Sequence, residues 1–157
     1  MTVAIFPGSF DPITNGHVDL VNRAVKMFDK IIVAVLTNPA KTGCFQLEER
    51  LEHIAASVPE GVEVASFQGL LVDFARSRNA GVIIRGLRAV SDFEYELQMT
   101  MMNRNLDQEL ETVFLTTQSS YSFLSSRLVK EVAGLGGDIS NLVPPIVDRA
   151  LKEKFGV

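Results

Sequence analysis

The sequence has little of what ties a chain together covalently or holds it in a membrane. Cys44 is the only cysteine among 157 residues, which excludes an internal disulfide or a cysteine metal cluster and favours a neutral loop thiol. No apolar run approaches the roughly 18 residues of a membrane span. The first residues lack the basic and apolar pattern of a signal peptide. We therefore expect a cytoplasmic protein.

Positive charge is also scarce. Fifteen Lys and Arg residues stand against nineteen Asp and Glu, a net charge of −4, which is the wrong sign for a protein that grips a long polyanion. Nucleic acid is therefore not an expected partner. If the substrates are small phosphates, positive charge must be concentrated locally. Lys41, Arg85 and Arg88 are the basic residues that follow predicted strands beside glycines.

Five short runs rich in β-branched residues alternate with helical patterns, which predicts a parallel sheet. The predicted strands are Thr2–Phe6, Ile31–Leu36, Val62–Phe67, Val82–Ile84 and Thr112–Thr116. The predicted helices are His17–Phe28, Leu47–Val58, Leu71–Arg78, Asp92–Leu106, Ser122–Ala133 and Pro145–Phe155. The continuous apolarity of the second strand predicts that it is central. We expect one α/β domain over residues 1–157, a doubly wound five-stranded Rossmann-like sheet that binds ligands beyond the carboxyl ends of its strands.

The segment after the first predicted strand, PGSFDPITNGH at Pro7–His17, combines glycines with a helix start. Glycines let a ligand approach the backbone, and a helix N-terminus offers unpaired N–H groups to phosphate. Taken alone, His17 beside a glycine is more often an ordinary residue of a capped turn. The pattern Thr14-x-Gly16-His17, preceded by Pro-Gly-Ser-Phe-Asp-Pro, favours a phosphate-binding loop instead.

This segment resembles the (T/H)xGH nucleotidyltransferase superfamily, and the whole chain is similar to the phosphopantetheine adenylyltransferases. The similarity continues through Asn38–Lys41, Phe45–Arg50, Ile84–Arg88, Asp92–Glu96, Met102–Arg104 and Ser122–Val132. It implies reversible transfer of AMP from ATP to 4′-phosphopantetheine in coenzyme A biosynthesis, with dephospho-coenzyme A and pyrophosphate as products. It further implies direct in-line attack, a homohexamer, and coenzyme A as a candidate inhibitor.

The resemblance also implies roles for individual residues. It makes His17 the transition-state stabiliser and adds Lys41 and Arg88 to the catalytic set. It assigns phosphopantetheine binding to Ser9, Lys41, Leu71 and Arg85. It assigns ATP binding to Ser9, Phe10, His17, Gly86, Leu87, Arg88, Glu96, Tyr121, Ser122, Phe123, Leu124, Ser125, Ser126 and Arg127.

Several of these assignments keep an alternative. Tyr121 and Arg127 depart from the residues common in the family, and Arg127 either adds a phosphate contact or points outward. Ser125 and Ser126 are equally explained as helix caps. Glu96 and Leu71 are ordinary structural residues when judged without the resemblance. The segment Ser91-Asp92-Phe93-Glu94 is typical of a capping box and needs no catalytic role.

Other features point away from a protein-held metal and towards an interface. No His, Cys or carboxylate cluster has metal-ligand spacing, so Mg²⁺ is expected to arrive with the ATP phosphates and no metal ligand is assigned. A lone helical histidine such as His53 is usually solvated or packed. The predicted helix Asp92–Leu106 is apolar over much of its circumference, which fits either core filling or a subunit contact.

Two other functions stay open. One is a nucleotidyltransferase with a different acceptor, such as nicotinate mononucleotide or glycerol 3-phosphate, against which Lys41 and the segment Ile84–Arg88 speak. The other is a nucleotide-binding module without catalysis, because a fold alone does not fix function. The presence of Ser9, His17 and Lys41 together argues against a pure binder.

Overall fold

In a computed structural model, which describes residues 1–88 and 92–156, five parallel strands form one sheet. The strands are β1 (Val3–Gly8), β2 (Lys30–Leu36), β3 (Glu63–Phe67), β4 (Val82–Leu87) and β5 (Glu111–Thr116). Their order in the sheet is β3-β2-β1-β4-β5. The chain runs outward from β1 to one edge and then crosses to β4, so the strand order reverses between β1 and β4. The predicted five-stranded doubly wound sheet is confirmed.

The prediction that the second strand is central is wrong in one respect. β2 lies inside the sheet, between β1 and β3, but β1 occupies the centre. Residues 31–35 of β2 are all buried, as are residues 3–7 of β1. Continuous apolarity reports that both faces of a strand are covered, and it carries no information on which interior strand is the middle one.

In the described part of the chain, four helices connect the five strands, and a 3₁₀ turn and two more helices follow the last strand. The helices are α1 (Asn15–Ala24), α2 (Leu47–Ala55), α3 (Leu71–Ser77), α4 (Asp92–Leu106), α5 (Ser126–Gly134) and α6 (Pro145–Phe155), with the 3₁₀ turn at Ser119–Tyr121. Alternate residues of β1 serve the two faces of the sheet: Ala4 and Phe6 pack with α1, α2, α5 and α6, and Val3 and Ile5 pack with α3. Both faces are therefore covered. No helix of the described residues is long and apolar enough to cross a membrane.

The element ends differ from the predictions where capping or strand pairing continues beyond the apolar run. α1 begins at Asn15 because Thr14 is its N-cap, and α5 begins at Ser126 because Ser125 is its N-cap. β1 continues through Gly8, which pairs with Val35, although proline and glycine end the apolar pattern. β4 likewise continues to Leu87. The predicted capping box that begins at Ser91 lies outside the described residues.

Helix α4 leaves large apolar side chains uncovered on two sides in the single chain. Its 15 residues carry six large apolar side chains that are 38% to 64% exposed. These side chains are Phe93, Tyr95, Leu97, Met101, Met102 and Leu106. Core filling, one of the two interpretations open from the sequence, does not explain these exposed side chains.

Candidate active site

A cavity of about 340 Å³ opens where the strand order reverses, between the carboxyl ends of β1 and β4 and the first turns of α1 and α5. It is the place where a doubly wound sheet binds its ligands. Eleven residues predicted from the sequence line it: Ser9, Phe10, His17, Arg85, Gly86, Arg88, Glu96, Tyr121, Leu124, Ser125 and Ser126. Residues from four separate segments, 9–17, 85–88, 96 and 121–126, are thus brought to one site.

His17 is held in a fixed orientation by the cap of α1. The Thr14 N–H donates to His17 Nδ1 at 3.0 Å, and the His17 N–H donates to the Thr14 hydroxyl at 3.4 Å. The imidazole ring packs edge to face against Phe10, with ring centroids 5.0 Å apart. Because Nδ1 accepts a hydrogen bond, the neutral ring carries its proton on Nε2. The site therefore contains a neutral, oriented N–H donor.

The charge state of His17 follows from its surroundings. Burial, and after it the positive charge of Arg88, lowers the pKa of His17 to about 4. At neutral pH the ring is therefore uncharged. An uncharged donor binds a phosphate oxygen by a hydrogen bond, and the positive charge of the site comes from the arginines instead.

Phe10 lines the cavity, and its backbone and its ring have different roles there. Its backbone has a φ of 46°, in the left-handed region that costs a non-glycine residue energy, and its side chain is buried against Phe6. A Cβ on Gly8 would lie 3.1 Å from the Phe10 ring, so glycine is needed there for close approach. The Phe10 side chain belongs to the core, which leaves its backbone to meet a ligand.

On the β4 side, Arg85 and Glu96 form an ion pair with Nε and Oε2 3.3 Å apart, and both side chains are less than one quarter exposed. Arg88 Nη1 donates to the Leu124 carbonyl oxygen at 2.9 Å. Gly86 lies where a Cβ would come within 2.6 Å of Leu20, so it permits α1 to pack closely on β4. The sequence assigned Arg85 and Glu96 to different substrates, whereas the structure joins them.

The hydroxyls of Ser125 and Ser126 are engaged with the protein itself. Ser125 Oγ accepts from the Leu128 N–H at 3.0 Å as the cap of α5, and Ser126 Oγ donates to the Pro12 carbonyl oxygen at 2.7 Å. The capping interpretation of Ser125 therefore holds in the structure. The N-terminal N–H groups of α5 and its dipole remain directed to the same end of the sheet, where phosphate is favoured.

Six predicted residues do not line this cavity, as far as the described chain extends. They are Lys41, Leu71, Leu87, Ser122, Phe123 and Arg127. Lys41 is exposed in the loop between β2 and α2, and Leu71 begins α3 and packs against the core on the other face of the sheet. Arg127 is exposed at the start of α5, which corresponds to the outward orientation left open above.

Two residues that sequence reasoning passed over connect the loops of the site. Asp11 is 7% exposed, and its carboxylate accepts from the Phe45 N–H at 2.8 Å and the Cys44 N–H at 2.7 Å. Arg50 of α2 donates to the Ser9 carbonyl oxygen at 2.9 Å. One signal was available in the sequence: an acidic residue inside a loop assigned to phosphate needs partners of its own, since its charge repels the ligand.

His53 and Cys44 lie beside these contacts without entering the cavity. His53 is 5% exposed and packs edge to face on Phe45, with centroids 4.9 Å apart, so it is packed and not solvated. Burial lowers the pKa of His53. Burial, together with the charge of Asp11, raises the pKa of the Cys44 thiol, which agrees with the predicted neutral thiol. Within the described residues, no group of three or more His, Cys, Asp or Glu side chains could hold a metal ion.

Comparison with known proteins first defines the class. The sequence profile of the cytidylyltransferase-like family matches residues 5–132 of the chain. The nicotinic acid mononucleotide adenylyltransferase of Plasmodium falciparum, solved with NaAD, covers 99% of this chain and 96% of its own at a TM-score of 0.68. A lipopolysaccharide core biosynthesis protein from Thermoplasma volcanium GSS1 covers 76% of this chain and 99% of its own, at a TM-score of 0.57. These structures are 13% and 19% identical in sequence and show the fold alone.

Sequence identity to a curated relative identifies the family more closely. The phosphopantetheine adenylyltransferase of Desulfosudis oleivorans (strain DSM 6200 / JCM 39069 / Hxd3) is 54% identical over 158 residues, which cover 99% of this chain and 94% of the relative. The chain therefore belongs to the cytidylyltransferase-like family and, within it, to the phosphopantetheine adenylyltransferases.

Proposed function

We propose that this protein is an adenylyltransferase that moves AMP from ATP to 4′-phosphopantetheine, giving dephospho-coenzyme A and pyrophosphate in coenzyme A biosynthesis. The observation that carries the proposal is the 54% identity to the named relative over nearly the full length of both chains. A cavity with an oriented neutral donor and two arginines at the reversal of strand order supports it. The reaction is reversible, because one phosphoric anhydride bond is exchanged for another.

In the proposed reaction the acceptor phosphate attacks the α-phosphorus of ATP in line and pyrophosphate leaves. No protein nucleophile is required, since such transfers depend on positioning and on stabilising charge. His17 Nε2–H donates to the oxygen of the α-phosphate that gains charge in the transition state. Arg88 and the first turn of α5, from Ser126 onward, receive the β- and γ-phosphates. Tyr121 and Leu124 form the remaining wall of the ATP side.

The acceptor side is proposed to comprise Ser9, Arg85, Lys41 and Leu71. Ser9 and Arg85 line the cavity, and the Arg85 guanidinium is held at Nε by Glu96, which leaves its outer nitrogens for a phosphate oxygen. Lys41 enters from the exposed loop after β2 and supplies a compact charge to the acceptor phosphate. We propose that Glu96 acts mainly through Arg85, not as a direct ligand of ATP.

Magnesium is proposed to enter with ATP. The donor groups fit this mode, because the described residues offer a single carboxylate, Glu96, at the cavity and no cluster that would hold a cation alone. When bound, Mg²⁺ neutralises phosphate charge and keeps mainly water and phosphate oxygens as ligands. The chain's own residues orient the phosphates around it.

The assembly and location are further proposals. The exposed apolar side chains of α4 support a subunit contact, and we propose the homohexamer of the family. We place the reaction in the cytoplasm, where ATP is available. That coenzyme A inhibits the reaction, and that residues 1–157 form one domain, stay predictions.

The decisive experiment measures pyrophosphate release from ATP and Mg²⁺, with 4′-phosphopantetheine, nicotinate mononucleotide and glycerol 3-phosphate offered in turn. We expect release with 4′-phosphopantetheine and at most background release with the others. Release only with another acceptor would show a nucleotidyltransferase of different specificity. Tight ATP binding without release for any acceptor would show a binding module.

A further inference from the structure

One acidic side chain joins three separate parts of the site. The Asp11 carboxylate accepts hydrogen bonds from the Cys44 and Phe45 N–H groups and lies 3.7 Å from Lys130 Nζ of α5. We propose that Asp11 is a positioning residue for the reaction: it holds the base of the loop that carries Lys41 against the segment that carries Ser9 and His17. The inference rests on the proposed function in one respect, that Lys41 meets the acceptor phosphate.

The loop of residues 37–45 is held by hydrogen bonds to the rest of the protein at its two ends, and its middle residues make few such bonds. At its start, the Thr37 N–H and hydroxyl both donate to the Phe67 carbonyl oxygen, at 2.9 and 3.2 Å. At its end, Asp11 holds Cys44 and Phe45. Residues 38–43 are exposed or nearly so, and the Lys41 N–H makes only a turn bond to the Asn38 carbonyl oxygen. The position of Lys41 therefore depends on these two anchors.

The residues around Asp11 pack closely enough to hold its carboxylate in one position. A Cβ on Gly43 would lie 2.8 Å from Asp11 Oδ2, so the loop approaches the carboxylate as closely as glycine allows. Phe45 is 3% exposed and packs on His53, which fixes the donor on its side. Lys130 compensates the charge of Asp11, which would otherwise repel phosphate ligands.

The same contacts distinguish positioning from chemistry. Both carboxylate oxygens already accept backbone N–H groups, so Asp11 is engaged as a fixed acceptor and not as a proton carrier. An asparagine in its place has one oxygen and one NH₂ group, and the NH₂ group would face a backbone N–H donor. Asp11→Asn therefore keeps the shape of the side chain and breaks one of its two hydrogen bonds to the loop backbone.

Two measurements test the proposal on the full chain. Hydrogen exchange, which needs no substrate, follows the Cys44 and Phe45 amides in wild type and Asp11→Asn, with amides of β2 as the internal reference. Steady-state kinetics compares kcat/KM and KM of Asp11→Asn with those of wild type for both substrates. The same comparison is made for Asp11→Asn in the Lys41→Ala background. Asp73→Asn, an exposed aspartate on α3, is the matched control. Gly43→Ala, which crowds the same contact from the loop side, is the second variant.

We expect faster exchange at the Cys44 or the Phe45 amide, whichever faces the NH₂ group of the asparagine, with unchanged exchange in β2. For 4′-phosphopantetheine, kcat/KM falls about tenfold in Asp11→Asn, while the KM for ATP stays within about twofold, because misplacing a binding group affects the substrate that it meets. Gly43→Ala gives a smaller loss of the same kind. In the Lys41→Ala background the Asp11→Asn change alters kcat/KM less than about twofold, because the two residues act as one unit.

Unchanged exchange at the two amides overturns the proposal, and so does an equal loss for both substrates. Additive effects of Asp11→Asn and Lys41→Ala overturn it as well, since they would show that Asp11 does not act through Lys41. If wild type forms no dephospho-coenzyme A, the proposed function fails separately, and the exchange measurement still decides whether Asp11 holds the loop.

Discussion

The two halves of the candidate site differ in how completely they are formed in the free chain. On the nucleotide side, His17 is fixed by the cap of α1 and by Phe10, and Arg88 is bonded to the backbone of Leu124. On the acceptor side, Ser9 and Arg85 line the cavity, but Lys41 is exposed in a loop outside it. A rigid half can stabilise charge without rearrangement, whereas a loop must be ordered by its substrate. We therefore expect mutations in the two halves to change different kinetic constants.

The largest effect is expected on the rigid side. His17→Ala removes the oriented donor, so kcat should fall about 10² to 10³-fold with KM values little changed, as for the loss of one donor to a developing oxyanion. Steady-state kinetics measures this, and a cooperative unfolding transition shows that the fold survives. Near-normal turnover would remove His17 from the mechanism.

The loop side should respond through acceptor binding. Lys41→Ala should lower kcat/KM for 4′-phosphopantetheine about ten to one hundredfold, because charge-assisted hydrogen bonds to a phosphate contribute about 1.5 to 3 kcal/mol. ATP affinity, measured by calorimetry, should stay within about twofold. Lys26→Ala, at another exposed lysine, is the control. An equal loss of ATP affinity in Lys41→Ala would show that the two halves of the site do not bind different substrates.

Folding stability should report the lowered pKa of His17. The folded-state pKa of about 4 lies below the unfolded value of 6.5, so the unfolded chain binds more protons between these values and stability falls as pH drops through them. From pH 7.5 to 5, wild type should lose about 2 kcal/mol in unfolding free energy that His17→Gln does not lose. His53, whose pKa is also lowered by burial, adds a smaller loss to both proteins. Denaturant titrations at several pH values measure the difference, and equal slopes would contradict the lowered pKa of the ring.

The smallest kinetic effect is expected at the Arg85–Glu96 ion pair, which lies between the two halves of the site. Glu96→Gln weakens the hold on Arg85, a partly exposed ion pair, so the KM for 4′-phosphopantetheine should rise about threefold with the KM for ATP unchanged. Competition assays with both substrates measure this. A rise confined to ATP would instead support the direct ATP contact that the family resemblance implies.

The sequence predicted the sheet well because its strands are buried on both faces and read as continuous β-branched runs. It placed strand ends less well, since Gly8 and Leu87 extend β1 and β4 through backbone pairing that composition does not reveal. His17 could be predicted as a site residue because its motif is local. Asp11 was missed because its partners, Cys44 and Phe45, are more than thirty residues away, and only the fold brings them together.

The most direct test of the account is single-turnover formation of dephospho-coenzyme A by the wild-type chain from ATP, Mg²⁺ and 4′-phosphopantetheine. We predict dephospho-coenzyme A and pyrophosphate in equal amounts, formed together and without an AMP-linked protein, since the acceptor attacks the α-phosphorus directly. An adenylylated protein, or pyrophosphate without dephospho-coenzyme A, would contradict it.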